Sequence, residues 1–242
     1  MGFQKTGFFV RQRFSHRRRP FELDARSEAT IRAVWGGSLD PSGVWNMTTR
    51  KESPTRLATR RRIVDAAIKV VGQNGVHAAS VRTIAREAGC NEAVIYHHFE
   101  NKNAMQDEVF AEIALELAES RRRSTEGATG PREFITIWIE ESYRFYDERP
   151  NAFAYALLGF PSIIRIDSDA YHANSRLFES SLTAMTPPPG RRLDLSPVAF
   201  SAFRASLIGP PRDIHAGVLP GPALQYVEPI SRIAERILLP DA

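Results

Sequence analysis

Cysteine is almost missing from this sequence: Cys90 stands alone among 242 residues, which excludes an internal disulfide framework and any cysteine-rich zinc site. No stretch approaches the roughly 18 to 20 uncharged apolar residues that a membrane helix needs. At the start, Phe8-Phe9-Val10 is too short an apolar run for a secretory signal and arginines follow it at once, so a cytoplasmic location with no membrane partner is expected. The sequence has no GxGxxG, no phosphate-binding loop, no HExxH and no GxSxG. An enzyme is therefore not expected. The carboxylate pairs Glu140-Glu141 and Asp167/Asp169 read as helix-surface or capping positions. No run alternates with period two and no segment repeats, so the chain reads as all-α. What is present is ordinary: 43% apolar and 25% charged residues, the mixture of a folded protein of one or two domains.

The net charge of +4 is unevenly spread, with +4 on residues 1–46, +5 on 47–102 and −5 on 103–242. A basic N-terminal part joined to an acidic remainder suggests that the first faces nucleic acid and the second has another task. Residues 1–46 are broken by Arg17-Arg18-Arg19-Pro20, Gly36-Gly37 and Pro41-Ser42-Gly43 and hold no apolar periodicity. Disorder is expected there. The segment is either a basic arm on DNA, or without a role, or upstream of a true start at Met47. The expected domains are then 47–105 and 106–242.

From Thr59 the pattern turns helical, with Ile63, Ala66, Ala67, Val70 and Val71 at three- and four-residue spacing and Asn74-Gly75 as a stop. Ser80 is a natural cap for a short helix over 81–88, and Gly89 ends it. Asn91 caps the next helix, and Asn101 a longer one carrying Met105, Val109, Phe110, Ile113 and Leu117. Arg121-Arg122-Arg123 closes that helix at the negative end of its dipole. Further helices are expected at about 132–148, 151–160, 168–185, 197–208 and 223–238. Pro187-Pro188-Pro189-Gly190 separates two of them, and Pro210-Pro211 is expected to break the next.

Residues 80–99 carry a short helix, a glycine turn and a second short helix, the pattern of a helix-turn-helix whose second helix enters the major groove. Ile84, Ala85, Ile95 and Phe99 can lock the two helices together. Ala88 and Gly89 let them approach steeply. That leaves Glu92, Ala93, Tyr96 and His97 facing outward, with Ala93 small enough for close approach to bases or phosphates.

On these residues the chain resembles the TetR/AcrR family of transcriptional regulators over positions 60–105. The resemblance is carried by Ile63, Ala66-Ala67, Gly75, Ile84-Ala85, Ala88-Gly89, Tyr96-His97-His98-Phe99 and Lys102. It implies a homodimer on a near-palindromic double-stranded DNA operator, usually as a repressor, released by a small-molecule effector bound in the C-terminal domain. It also implies DNA-facing roles for Ser80, Arg82 and Thr83, and for Asn91, Glu92, Ala93, Val94, Tyr96, His97 and His98. Lys102 matches a phosphate-contacting lysine at a helix N-terminus. Val94 departs from the pattern, since a hydroxyl residue is common there, and Ala93 replaces a frequent glycine.

No metal and no cofactor are expected: adjacent helical residues such as His97 and His98 point about 100° apart and cannot chelate one ion. Cys90 reads as a small apolar filler. Arg60-Arg61-Arg62 is either a phosphate-attracting cluster or a solvated charge run. The acidic half is rich in aromatics, and Trp138, Tyr143, Phe153, His172, Phe178 and Phe203 are the candidate pocket residues, each competing with a plain core role. His215 is a further polar candidate. Dimerisation is expected on the last two helices through Val198, Phe200, Phe203, Leu207, Ile230, Ile233, Ile237 and Leu238. The alternatives are a DNA-binding dimer with no small-molecule ligand and, remotely, a helical enzyme with an accidental helix-turn-helix.

Overall fold

A serine followed by a proline starts the described helical body. Ser53 Oγ accepts from the Arg56 N–H at 3.3 Å and Pro54 occupies the first helical position, so helix α1 runs Pro54–Asn74, five residues earlier than the apolar pattern indicates. The computed structural model describes residues 53–158 and 169–242. It also describes a two-residue antiparallel pairing of Ser38–Leu39 (β1) with Trp45–Asn46 (β2). The expected disorder of 1–46 and the start at Met47 otherwise fall outside the described residues.

Eight further helices follow among the described residues: α2 (Val81–Glu87), α3 (Glu92–His98), α4 (Lys102–Thr125), α5 (Pro131–Glu148), α6 (Pro150–Phe153), α7 (Asp169–Thr183), α8 (Pro197–His215) and α9 (Val227–Leu238). A π-helical turn, Ala154–Leu158, prolongs α6. Apart from β1, β2 and the lone backbone bridge Arg191–Asp241, the described fold is all-α as expected.

α1 lies over α2 and reaches α4 and α6, and α4 packs against α5 and α7. α9 packs on α5 and α8. The core runs without a break from Ile63 and Ile84 to Phe178 and Leu238. Asp147 at the end of α5 accepts from the backbone N–H groups of Ala223 at 2.6 Å and Leu224 at 3.0 Å, which anchors the 3₁₀ turn leading into α9.

Two expectations about local sequence are corrected. Pro210-Pro211 does not break α8, which continues to His215. Both rings are buried, and the residue before them, Gly209, has no Cβ to clash with the first ring; burial of two rings offsets the missing N–H donors. Arg121 does not sit on the surface at the end of its helix either. α4 runs on to Thr125 and Arg121 is only 3% exposed.

Candidate nucleic-acid interface and ligand cavity

Ile84, Ile95 and Phe99 are at most 2% exposed and fasten α2 to α3 beneath α1. Full burial of such side chains is worth about 1.5 to 3 kcal/mol each. The turn between the helices needs φ of +66° at Gly89, a conformation that costs glycine nothing. With Ile95 inward, Glu92, Ala93, Tyr96 and His97 are all exposed, Tyr96 by 52%. The expected outward face is therefore the observed one.

Other residues of the expected interface do structural duty as well. Ser80 Oγ accepts from the Thr83 N–H at 3.0 Å, while the Ser80 N–H donates to Thr83 Oγ1 at 3.1 Å, so both hydroxyls are engaged in capping α2. Asn91 Oδ1 caps α3 at the Val94 N–H, at 3.0 Å. Val94 is half-buried against the core. Arg82 is exposed, Lys102 half-exposed at the first turn of α4, and His98 half-buried. Cys90 packs partly into the core as a filler would.

The arginine run at the start of α1 divides. Arg60 pairs with Glu108 at 3.0 Å and Glu112 at 2.6 Å, and lies 5.3 Å from the centre of the Phe99 ring. Burial opposes its charge, but Glu112 and Glu108 more than offset this and hold the guanidinium above its ordinary value. Arg60 is thus a brace between α1 and α4, while Arg61 and Arg62 are exposed.

At the other end of α4 lies a cavity of about 170 Å³ between α4, α5, α7 and α8. Trp138, Phe178 and Phe203 line it, as do Phe110, Leu117 and Phe200. Phe178 stacks on Phe203 at 4.6 Å between ring centres and stands edge-on to Trp138 at 4.9 Å. Tyr143, Phe153 and His172 do not line it. Phe153 is fully buried edge-on to Tyr146, and His172 is half-buried on α7. His215 lies elsewhere too, its Nε2 2.8 Å from Gly72 O.

Sequence reasoning missed the polar part of this cavity: Arg121, Asn174, Ser175 and Arg204. Burial pushes the Arg121 guanidinium down to about 9, with the charge of Glu141 acting the other way, so it stays cationic at neutral pH. Glu141, expected on the surface, is buried. It accepts from Ser120, from Ser124 at 3.0 Å and from Arg144 at 3.0 Å. The side chains of Asp167 and Asp169, like Phe160, lie outside the described residues.

Tyr143 is also fully buried, its hydroxyl has no hydrogen-bond partner among the described residues, and burial pushes it above its usual range. Tyr143→Phe should therefore leave thermal stability unchanged or raise it slightly, because an unmet buried hydroxyl costs more than its removal. A fall in Tm of more than about 4 °C, equivalent to roughly 1 to 2 kcal/mol at this size, would mean that the hydroxyl has a partner.

Residues 63–109, which span the second half of α1, α2, α3 and the start of α4, match the family described as bacterial regulatory proteins, tetR family. Over this stretch the chain is of the tetR-family type. Over 73 residues it is 37% identical to the nicotine-responsive transcriptional repressor HdnoR of Paenarthrobacter nicotinovorans, covering 30% of this chain and 38% of that protein. Over 103 residues it is 31% identical to the transcriptional regulator BetI of Rhizobium meliloti, covering 43% of this chain and 50% of BetI. The matches thus span half or less of these curated relatives.

In the solved structures the likeness extends further. A TetR-family transcription regulator from Marinobacter aquaeolei superposes with a TM-score of 0.60 at 19% identity, covering 78% of this chain and 98% of that one. FadR of Bacillus subtilis, solved with stearoyl-CoA, superposes with a TM-score of 0.51 at 16% identity, covering 72% and 96%. At such identities the likeness establishes the fold, and the TetR-type domain is followed by a helical body of the same architecture.

Proposed function

We propose that this protein is a transcriptional regulator that binds a near-palindromic operator as a homodimer, as a repressor, and that a small molecule in the cavity alters its grip on DNA. One observation carries the reading. α4 begins at Lys102, four residues after α3 ends, and lines the cavity from Phe110, eight residues or about 12 Å further on, to Arg121, about 28 Å from its start. One rigid element therefore joins the two sites, and a ligand that shifts it must change the spacing of the recognition helices. HdnoR, which is nicotine-responsive, and FadR, solved with stearoyl-CoA, support a small-molecule effector. The cavity favours this over a DNA-binding dimer without a ligand.

The DNA-facing residues on this reading are Arg82, Glu92, Ala93, Tyr96, His97 and Lys102, with Ser80, Thr83, Asn91, Val94 and His98 shaping the surface around them. Lys102→Ala removes one ammonium–phosphate contact per subunit. Binding should weaken alike on specific and non-specific DNA, and the salt slope should fall by about 0.9 per contact, or roughly two per dimer. An unchanged slope would remove Lys102 from the interface.

The dimer reading is supported by what α8 and α9 leave uncovered. Phe203, Leu207, Ile230 and Leu238 are consumed by the core, but Val198 is 79% and Ile233 44% exposed. Ala202 and Ala205 continue the open face of α8. A two-fold contact there would set any introduced charge close to its own copy. Ala202→Glu should yield a monomer by light scattering with helix content intact.

The direct test is to recover and sequence genomic fragments bound by the full chain. A recurrent inverted repeat is expected, and its absence would sink the operator reading. A true effector must both raise Tm and change affinity for that repeat, since linkage ties the two.

A further inference from the structure

The cavity contains a buried cation, Arg121, whose hydrogen-bond acceptors are all neutral. Arg121 offers five N–H groups. Nε and Nη2 donate to Ser142 Oγ at 3.2 and 2.7 Å, and Nη1 donates to Asn174 Oδ1 at 2.9 Å. Two N–H groups remain without an acceptor. The acceptors in use are themselves fixed: Ser142 Oγ donates to Trp138 O at 2.5 Å, and Asn174 Nδ2 donates to Ala114 O at 2.9 Å. The guanidinium carbon lies 4.6 Å from the centre of the Trp138 ring. Its position is therefore set from three sides before any ligand arrives.

Among the described residues no acid lines the cavity beside it. Of the fifteen residues lining the cavity none is aspartate or glutamate, and two are arginines. Arg204 has interactions of its own, so the argument rests on Arg121. Glu141 is the nearby anion that acts on Arg121 through its charge, but its oxygens are taken up by Ser120, Ser124 and Arg144. A buried guanidinium with spare donors in a low-dielectric site matches the two oxygens of a carboxylate, which can accept in parallel.

Resting on the reading of this cavity as the effector site, we propose that its ligand is a small arylcarboxylate, with the carboxylate on the two spare N–H groups of Arg121 and the ring among Trp138, Phe178 and Phe203. The walls suit a flat ring: Phe178 and Phe203 are stacked within 14° of parallel and Trp138 stands across them. The volume of about 170 Å³ suits a single ring with a short acid arm, since an apolar cavity of about 150 Å³ accommodates benzene.

The test uses the full-length protein and three sets of probes of matched shape: benzoate and phenylacetate, the neutral benzamide and phenylacetamide, and the cationic benzylamine and phenethylamine. Binding is read by quenching of tryptophan fluorescence and by Tm. The carboxylates should bind at least about tenfold tighter than the amides, and the amines should not bind, because only the carboxylates meet the unpaired donors. In Arg121→Gln the preference should collapse to within about twofold while the amides still bind, the general signature of losing a charge-assisted pair. Amides binding as well as carboxylates to the wild-type protein would overturn the anion assignment and leave the cavity reading standing. A carboxylate preference that survives in Arg121→Gln would overturn the role of Arg121. If no probe of any charge binds, both this inference and the reading of the cavity as a site for small arenes fall. Should Arg121→Gln fail to fold by circular dichroism, the wild-type comparison of carboxylate with amide still decides.

Discussion

Replacing Ala93 with leucine should abolish specific operator binding while the free protein melts almost as before. Ala93 is exposed in the first turn of α3, flanked on the same face by Glu92, Tyr96 and His97. A leucine there meets water in the free protein, so stability should change by no more than about 0.5 kcal/mol, as is usual for surface positions. In the proposed complex the added carbons would stand where the helix approaches the base edges, and α3 is held by the buried Ile95 and Phe99.

The reciprocal change has the opposite signature. Ile95 is 1% exposed, on a helix that packs against α2. Ile95→Ala leaves a cavity there and should cost about 2 to 5 kcal/mol, read as a shift of the denaturant midpoint, with DNA affinity lost only in proportion to the unfolded fraction. Measured together, the two variants separate contact from support. If the leucine variant unfolds, or the Ile95 variant stays stable yet cannot bind, the groove-facing surface of α3 has been assigned to the wrong side.

That the face of α3 could be read from sequence follows from its setting. Ile95 and Phe99 are four apart, the neighbouring positions are polar or small, and Asn91 caps the helix in the way its residue type favours. Local periodicity and tertiary packing ask for the same thing there. At Arg121 they differ. Phe110, Ala114, Leu117 and Arg121 follow one another at spacings of four, three and four along a single stripe of α4, and all four line the cavity. The stripe points inward at its last member as at its first. Read instead with Arg122 and Arg123, the residue looks like one of three charges closing a helix. Its burial depends on Ser142 and Asn174, which lie on α5 and α7 and share no local pattern with it. Pro210 and Pro211 are of the same kind, because only the packing of both rings against the body decides that the helix continues. The start of α1 lies at Ser53-Pro54, a cap followed by a first-turn proline, before the apolar pattern that marks the helix from Thr59.

Gly72→Ala should destabilise the protein although glycine is a poor residue for the interior of a helix. In an isolated helix the change would gain about 1 kcal/mol. Here a Cβ on Gly72 would stand 2.7 Å from the Cα, Cβ and carbonyl oxygen of Asn151, so it is backbone at the start of α6 that must give way. Overpacking of this kind costs about 1 to 3 kcal/mol and exceeds the helix gain. His215 Nε2, 2.8 Å from Gly72 O, adds a contact from the end of α8 that any shift of α1 disturbs. Tm should therefore fall by about 2 to 6 °C for Ala and further for Val. A rise in Tm for Gly72→Ala would show that α1 and α6 are free to separate. The joint matters beyond stability because the turn that prolongs α6 brings Ala156 and Leu157 to the cavity wall, a few residues from the point where Asn151 meets α1. Forcing that point apart should weaken the linkage between ligand and DNA even in the fraction that remains folded. Operator affinity measured with and without a bound arylcarboxylate should differ less in the Gly72 variant than in the wild-type protein.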